Sequence, residues 1–424
     1  MITRFEIANY KSIKKLMLDF QPFMVLVGPN GAGKTNVVQA LKLFGDLLSR
    51  GTTDPAQEQG WSQIVHRQKR PARGGLKLSG TFLVPRVQIG RIGQHVPRGA
   101  PRGDDIEVQV SLVIRGSTAG HEITVVSEEL RVGPEESGIR LSRRDDSVDI
   151  DRGSDKDLWR AFARYSFFLA SHSSEAPQTF SVPVPADPQT LTVCGRLFLG
   201  WLTAELVKQS ATTRLRLDTS ALRNDARFDL VSGRSIGPSG EGLPVAVDKL
   251  RGRGAKPSAA FLPILAALRE VYPRIEDVRP EPFAQGRVTL LFQERGISDP
   301  IPLDSISDGV IHALALLIAL QSPGPGILAI EEPENALHPW SVRKILERAQ
   351  SGDEQRVLMT THSETVVNAV ADPDSLFIVE GDEDTGTTVT PATNKEKALR
   401  AILMESGQQL GDVWLDGTLG GVPS

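Results

Sequence analysis

The chain has 424 residues, 40% of them hydrophobic and 24% charged, with a formal net charge of −4. That length can bury a large core in two lobes, the composition is that of an ordinary soluble globular protein, and the charge argues neither for nor against nucleic acid. The one cysteine, Cys194, excludes an internal disulfide and points to a reducing, cytoplasmic setting, and no apolar run reaches the ~18 residues a bilayer span needs, so no membrane is expected.

The opening residues, Met1-Ile-Thr-Arg-Phe-Glu, carry no secretory pattern. They begin a set of three expected strands at 3–8, 15–20 and 23–27. Directly after the third strand comes Gly28-Pro29-Asn30-Gly31-Ala32-Gly33-Lys34-Thr35-Asn36, which fits G-x-x-x-x-G-K-[ST] between a buried strand and a helix predicted at 34–48. The glycines let backbone N–H groups turn inward around phosphates, and the helix N-terminus adds positive charge. Lys34 is placed to reach the β- and γ-phosphates, and the Thr35 hydroxyl to ligate Mg²⁺. A nucleoside triphosphate, ATP, is the expected ligand.

Residues 61–103 hold nine basic side chains (Arg67, Lys69, Arg70, Arg73, Lys77, Arg86, Arg91, Arg98 and Arg102) and no Asp or Glu. DNA is a natural partner for such a window, and a solvated loop or an acidic protein surface are the alternatives. Period-two alternation then predicts strands at 76–84, 106–114, 122–132 and 138–141, closed by a charged stretch at 143–157. Helical patterns follow at 158–171 and 191–209, then a Gly/Pro/Ser-rich connector at 232–242, a helix at 258–271 and a strand at 287–294.

Ser307-Asp308-Gly309 opens a predicted helix at 310–320, and such a turn caps a helix and offers free N–H groups to an anion. Next, Gly326-Ile-Leu-Ala-Ile330 runs into Glu331-Glu332-Pro-Glu-Asn-Ala-Leu-His338-Pro. Two carboxylates at the carboxyl end of a buried strand sit where open α/β sheets bind ligands. Alternation of strand side chains gives them separate jobs: Glu331 near Mg²⁺, Glu332 orienting or deprotonating water. Another apolar strand, Arg356-Val-Leu-Met-Thr-Thr, ends at His362, which can hydrogen-bond a γ-phosphate.

Asn9-Tyr-Lys-Ser12, the Gly28–Asn36 loop, Ser307–Gly309, Glu331–Pro339 and Thr360–Ser363 together resemble the ABC-type ATPase heads of the SMC, RecF and OLD group. The compact standalone bacterial members, some associated with antiphage defence, are most similar, and the ending Leu410-Gly-Asp-Val-Trp414…Gly417…Gly420-Gly421 resembles their tail. The resemblance implies an α/β P-loop NTPase with a mixed central sheet, an antiparallel β subdomain and a helical lobe. On that reading 1–152 and 301–424 form one ATPase head and 153–300 a helical insertion. It further implies a homodimer closed on two ATP molecules. Ser307 and Gly309 then contact the γ-phosphate on the partner's P-loop, with Asp308 between them, Glu332 is the base, His362 the switch histidine, and 335–337 cross between heads. Lys11 and Ser12 are expected near the nucleotide, and Gln63 is one option for the glutamine loop. Asp308 and Val310 depart from the transporter signature, and Glu331 stands where Asp is commoner.

The work of the cycle, on DNA or through a separately encoded effector, is open at this point, and a non-hydrolysing ATP-dependent switch is the alternative. Ile378-Val-Glu380-Gly381 resembles the start of a Toprim nuclease domain, but no strand ending in Asp-x-Asp follows. One acid cannot build a two-metal site, so no intrinsic nuclease is expected.

Overall fold

This computed structural model describes residues 1–66, 75–85, 105–117, 122–144, 147–154, 178–183, 188–193, 201–224, 226–227, 236–252, 254, 256–283, 286–321, 326–352, 356–395 and 409–415. In chain order the strands are β1 (Ile2–Tyr10), β2 (Ile13–Asp19), β3 (Phe23–Val27), β4 (Leu76–Pro85), β5 (Asp105–Gly116), β6 (Ile123–Val132), β7 (Ile139–Arg144), β8 (Ser147–Asp151) and β9 (Thr179–Pro183). They continue with β10 (Thr212–Leu215), β11 (Ala226–Arg227), β12 (Ile275–Phe283), β13 (Arg287–Glu294), β14 (Ile301–Pro302), β15 (Ile327–Glu331), β16 (Arg356–Thr361), β17 (Leu376–Asp382) and β18 (Gly386–Pro391). The helices are α1 (Lys34–Arg50), α2 (Asp54–Gln59), α3 (Trp61–Ile64), α4 (Trp201–Ser210), α5 (Thr219–Arg223) and α6 (Leu243–Arg251). After them come α7 (Leu262–Val271), α8 (Asp308–Gln321), α9 (Pro339–Gln350), α10 (Glu364–Asn368) and α11 (Leu410–Leu415).

The chain divides into two compact units, and it passes between them more than once. One comprises Met1–Gln21, Thr35–Thr212 and Gly381–Thr388, the other Pro22–Lys34, Thr213–Glu380 and Val389–Ser424.

In the first unit, alternation along β5 buries Ile106, Val108, Val110, Leu112 and Ile114 on one face, the pattern of an antiparallel strand covered on one side. Its sheet is antiparallel throughout, in the order β2-β1-β4-β5-β6-β7-β8-β9. Helix α1 brings Phe44 against Phe5 and Phe82, with ring centroids 5.3 and 6.4 Å away.

The second unit is built on a six-stranded sheet in the order β10-β15-β16-β3-β17-β18. All five residues of β3 and of β15 are buried, as expected of continuous apolar strands inside a parallel sheet. The pairs β15/β16, β16/β3 and β3/β17 are parallel, with Glu331 level with Thr360 and Thr361 level with Val27. That register brings three strand ends into one row: the Gly28 loop, Thr361-His362 and Glu331-Glu332. Above the sheet α8 is apolar all round, with Val310 to Ile318 buried, which is how a helix inside a core reads. A small sheet, β11-β13-β12 with β14 on β13, completes the unit.

Local structure departs from the sequence expectation in several places. The charged stretch 143–157 contains β8, which pairs with β7 and β9. Within the described part of 191–209, Leu191 bonds Gly51 from a non-helical segment, and the helix is confined to Trp201–Ser210. The helix expected from 258 begins at Leu262, because Ser258 spends its carbonyl on a turn to Phe261. Strand β12 was not expected at all, since Pro280 and Pro282 lie in it. It flanks its sheet on one side only, where a missing N–H breaks no ladder. The helical pattern at 158–171 lies outside the described residues.

Candidate functional site

The loop after β3 is shaped by its glycines. Gly31 and Gly33 take φ of 86° and 106°, a region costly to any side chain. A Cβ on Gly28 would stand 2.2 Å from the carbonyl oxygen of Val379 on β17, so only glycine lets the loop leave the sheet there. Lys34 closes the loop as the first residue of α1, with 7% of its surface exposed. Its Nζ donates to the carbonyls of Gly28, at 2.6 Å, and Pro29, at 2.9 Å. Burial pulls its ammonium below the usual lysine range, opposed by the charges of Glu332, Glu334 and Glu331. Thr35 follows as the second helical residue and Asn36 as the third, half-buried. Pro29, Asn30 and Ala32 form the outer turn, held by a 3.3 Å bond from Ala32 N–H to the Pro29 carbonyl.

Facing Lys34 is an acidic loop. Glu331 ends β15 with its side chain 2% exposed, and Arg214 Nε donates to its Oε1. Glu332 donates its backbone N–H to Thr360 at 2.8 Å and then turns with φ of 52°. Strict alternation therefore stops at Glu331, and the fields of both carboxylates reach Lys34. Glu332 Oε2 accepts from Asn335 Nδ2 at 3.1 Å and lies 3.5 Å from Arg216 Nη2. Glu334 Oε1 accepts from the Thr361 hydroxyl at 2.7 Å, while its Oε2 is buried without a donor among the described residues. His362 Nδ1 stands 3.7 Å from Glu334 Oε1 and 3.9 Å from Glu332 Oε1.

Ser307 and Asp308 are exposed at the start of α8. The turn is held from α5: Arg223 donates to the carbonyls of Leu303 and Ile306 at 2.7 and 2.6 Å and pairs with Asp308 at 2.5 Å. A Cβ on Gly309 would lie 2.5 Å from Tyr272 Oη and 3.0 Å from the Ala336 carbonyl, so this turn packs against the loop that follows Glu332.

The structure thus brings Lys34, Glu331, Glu332 and His362 together and adds Glu334, Arg214 and Arg216, which sequence reasoning missed. Glu334 carried a legible signal, an acid two residues after Glu332 in one loop. The arginines carried none, because Arg214 meets Glu331 across 117 positions of sequence. In the first unit, Ser12 Oγ accepts from Asn36 Nδ2 at 2.7 Å and meets the Thr387 hydroxyl at 2.6 Å, and Lys11 donates to Gln39 of α1. Gln63 lies exposed in α3. Of the basic residues in 61–103, Lys77 is described, 3.5 Å from Glu6, and the other eight lie outside the described residues. Glu380 stands exposed on β17. In the tail, α11 docks through Gly411 N–H on Asn368 at 2.6 Å, and Gly417, Gly420 and Gly421 lie outside the described residues.

These residues fit a polyphosphate: a buried lysine, a loop turned by two positive-φ glycines and a helix N-terminus. They also fit Mg²⁺, which takes oxygen ligands and binds through one or two carboxylates plus substrate phosphates. The absence of any three-residue His/Cys/Asp/Glu metal cluster among the described residues does not conflict with that mode. No described helix is long and apolar enough to cross a membrane.

Two family models each match part of the chain. Residues 206–368 match the family described as "AAA domain, putative AbiEii toxin, Type IV TA system", and residues 1–62 match "AAA ATPase domain". The chromosome partition protein Smc of Methanocaldococcus jannaschii is 38% identical over 72 residues, 16% of this chain. The match spans only 6% of that relative's length. Among solved structures, an Smc head bound to the C-winged helix domain of ScpA matches at 14% identity and a TM-score of 0.49, over 92% of this chain and 97% of that one. The Pyrococcus furiosus Smc head with an extended coiled coil, bound to the C-terminal domain of ScpA, matches at 11% identity and 0.46, over 95% and 99%. The Thermotoga maritima SMC head matches at 12% identity and 0.39, over 92% and 98%. The phosphate loop, the parallel strands that position it and the two matched AAA models give this chain the fold of a P-loop NTPase.

Proposed function

We propose that this chain hydrolyses ATP, with Glu332 as general base. The observation that carries the reading is one row of strand ends holding a buried P-loop lysine, an acidic loop and a histidine within 4.0 Å of two of its carboxylates. Lys34 binds the β- and γ-phosphates, and the amides of Gly31 to Thr35 orient them. Mg²⁺, when bound, neutralises phosphate oxygens, with Thr35 and Glu331 the residues that would hold it. Glu332, fixed by Asn335 and turned out of the strand, takes the proton of the attacking water. His362 hydrogen-bonds the γ-phosphate from the neighbouring strand end and registers its loss.

Dimerisation belongs to the same proposal. Ser307 and Asp308 are exposed on a braced turn, which suits contact with a triphosphate held by a second copy. A protein partner is part of this proposal as well, as for the Smc head bound to a ScpA domain. DNA through 61–103 and a cytoplasmic defence role rest on charge, the lone cysteine and the name of the matched toxin family. A second reading, an ATP-dependent switch without hydrolysis, is favoured by one fact: Glu331 is already paired with Arg214.

Phosphate release separates the two. Glu332→Gln is expected to lower turnover by about 10²–10⁴ while triphosphate binding persists. Equal turnover in variant and wild type rejects the base. No turnover in wild type, with or without DNA, leaves the switch.

A further inference from the structure

Two cations are threaded onto the edge of the catalytic sheet opposite two acids. Arg214 and Arg216 are two positions apart on and just past β10, so both leave the same face, while Leu215 between them is 1% exposed. Strand β10 hydrogen-bonds β15, whose end carries Glu331. Arg214 Nε takes Glu331 Oε1, and Arg216 reaches Glu332 Oε2 at 3.5 Å. The two guanidiniums thus match the two carboxylates in order. Glu331 is the deeper pair, with 2% of its side chain and 27% of the Arg214 side chain exposed, where charges interact more strongly than in water.

A guanidinium on a carboxylate directly opposes a second cation on the same group. We propose that Arg214 is a positioning residue that competes with the divalent cation for Glu331, so that the metal engages this carboxylate only as the arginine lets go. The free Mg²⁺ concentration then becomes a control on nucleotide binding, set by one ion pair. This inference rests on the reading of the Gly28–Thr35 loop as a triphosphate site with Glu331 at its metal.

The test measures metal dependence of binding, not turnover. A fluorescent, non-hydrolysable ATP analogue is titrated onto the full chain at increasing Mg²⁺, and the midpoint is read by anisotropy. Arg214→Gln is expected to lower the Mg²⁺ midpoint about tenfold relative to wild type, the scale of coupling between groups in direct contact. Arg214→Lys, which keeps the charge but loses Nε, falls between. In the Glu331→Gln background, adding Arg214→Gln leaves the midpoint unchanged, because the shared carboxylate charge is gone. A shift that persists there reports a general field effect and overturns the competition. So do equal midpoints in wild type and Arg214→Gln. Should Arg214→Gln fail to fold with Glu331 left unpaired, Arg214→Lys decides: a midpoint equal to wild type overturns the proposal. Loss of analogue binding by wild type at every Mg²⁺ concentration overturns the site reading as well, whereas equal midpoints with binding intact overturn this inference alone.

Discussion

Lys34 shows how a charge is kept inside a protein. Its ammonium is buried and its stem fixed, and three glutamates supply the opposing field. Replacing it with alanine removes the cation and leaves those carboxylates facing an incoming polyphosphate, so more is lost than one contact. Lys34→Ala is expected to weaken triphosphate binding by roughly 10- to 100-fold or more, the range for charge-assisted hydrogen bonds, measured by equilibrium titration. Asp277 is a second such position. Burial works to raise its carboxyl, but hydrogen bonds from Arg251 and Arg279 win and hold it below its ordinary value. Arg251 Nη2 pairs with it at 2.9 Å, with 3% of the arginine side chain exposed. Asp277→Ala should therefore cost about 3–5 kcal/mol in urea unfolding, because a buried guanidinium loses its partner. At this scale the motif residues were legible in the sequence: Lys34, Glu331, Glu332 and His362 each follow an apolar strand. Arg214 and Arg216 were not, since pairing across a sheet leaves no mark in local spacing, whereas Glu334 stood in plain view in the same acidic loop and was passed over.

Strands with a clear two-residue period were legible, and elements whose context overrides their composition were not. Strands β4 and β5 announce themselves by alternation, whereas β8 hides among charges and β12 behind two prolines. Helix α8 holds the one titratable side chain buried among its apolar neighbours, His312, whose Nε2 lies 3.0 Å from the Thr219 hydroxyl. Burial pushes this imidazole below its ordinary 6.5, against Asp308 and Asp218 and with Arg223 adding to the depression. It is neutral in the folded chain and gains a proton on unfolding once the pH drops under 6.5. Its contribution to stability is thus whole above that pH and shrinks as acid increases towards and past the depressed folded value. Melting temperature is expected to fall between about pH 7 and pH 5, and to fall less in His312→Gln.

At the scale of the whole chain, ATP-dependent pairing is the prediction that matters. Glu332→Gln with ATP should double the mass seen by light scattering, and Ser307→Arg in that background should keep it at one chain while nucleotide still binds. A monomer under both conditions would remove the trans role of the Ser307 turn. The two compact units are interleaved in sequence: one takes Pro22–Lys34, Thr213–Glu380 and the tail from Val389, the other everything between those pieces and before them. No single cut in the polypeptide separates them. A protease nick or a premature stop codon can trim one unit but never frees a whole unit from the other, so neither can be obtained intact and alone by simple truncation.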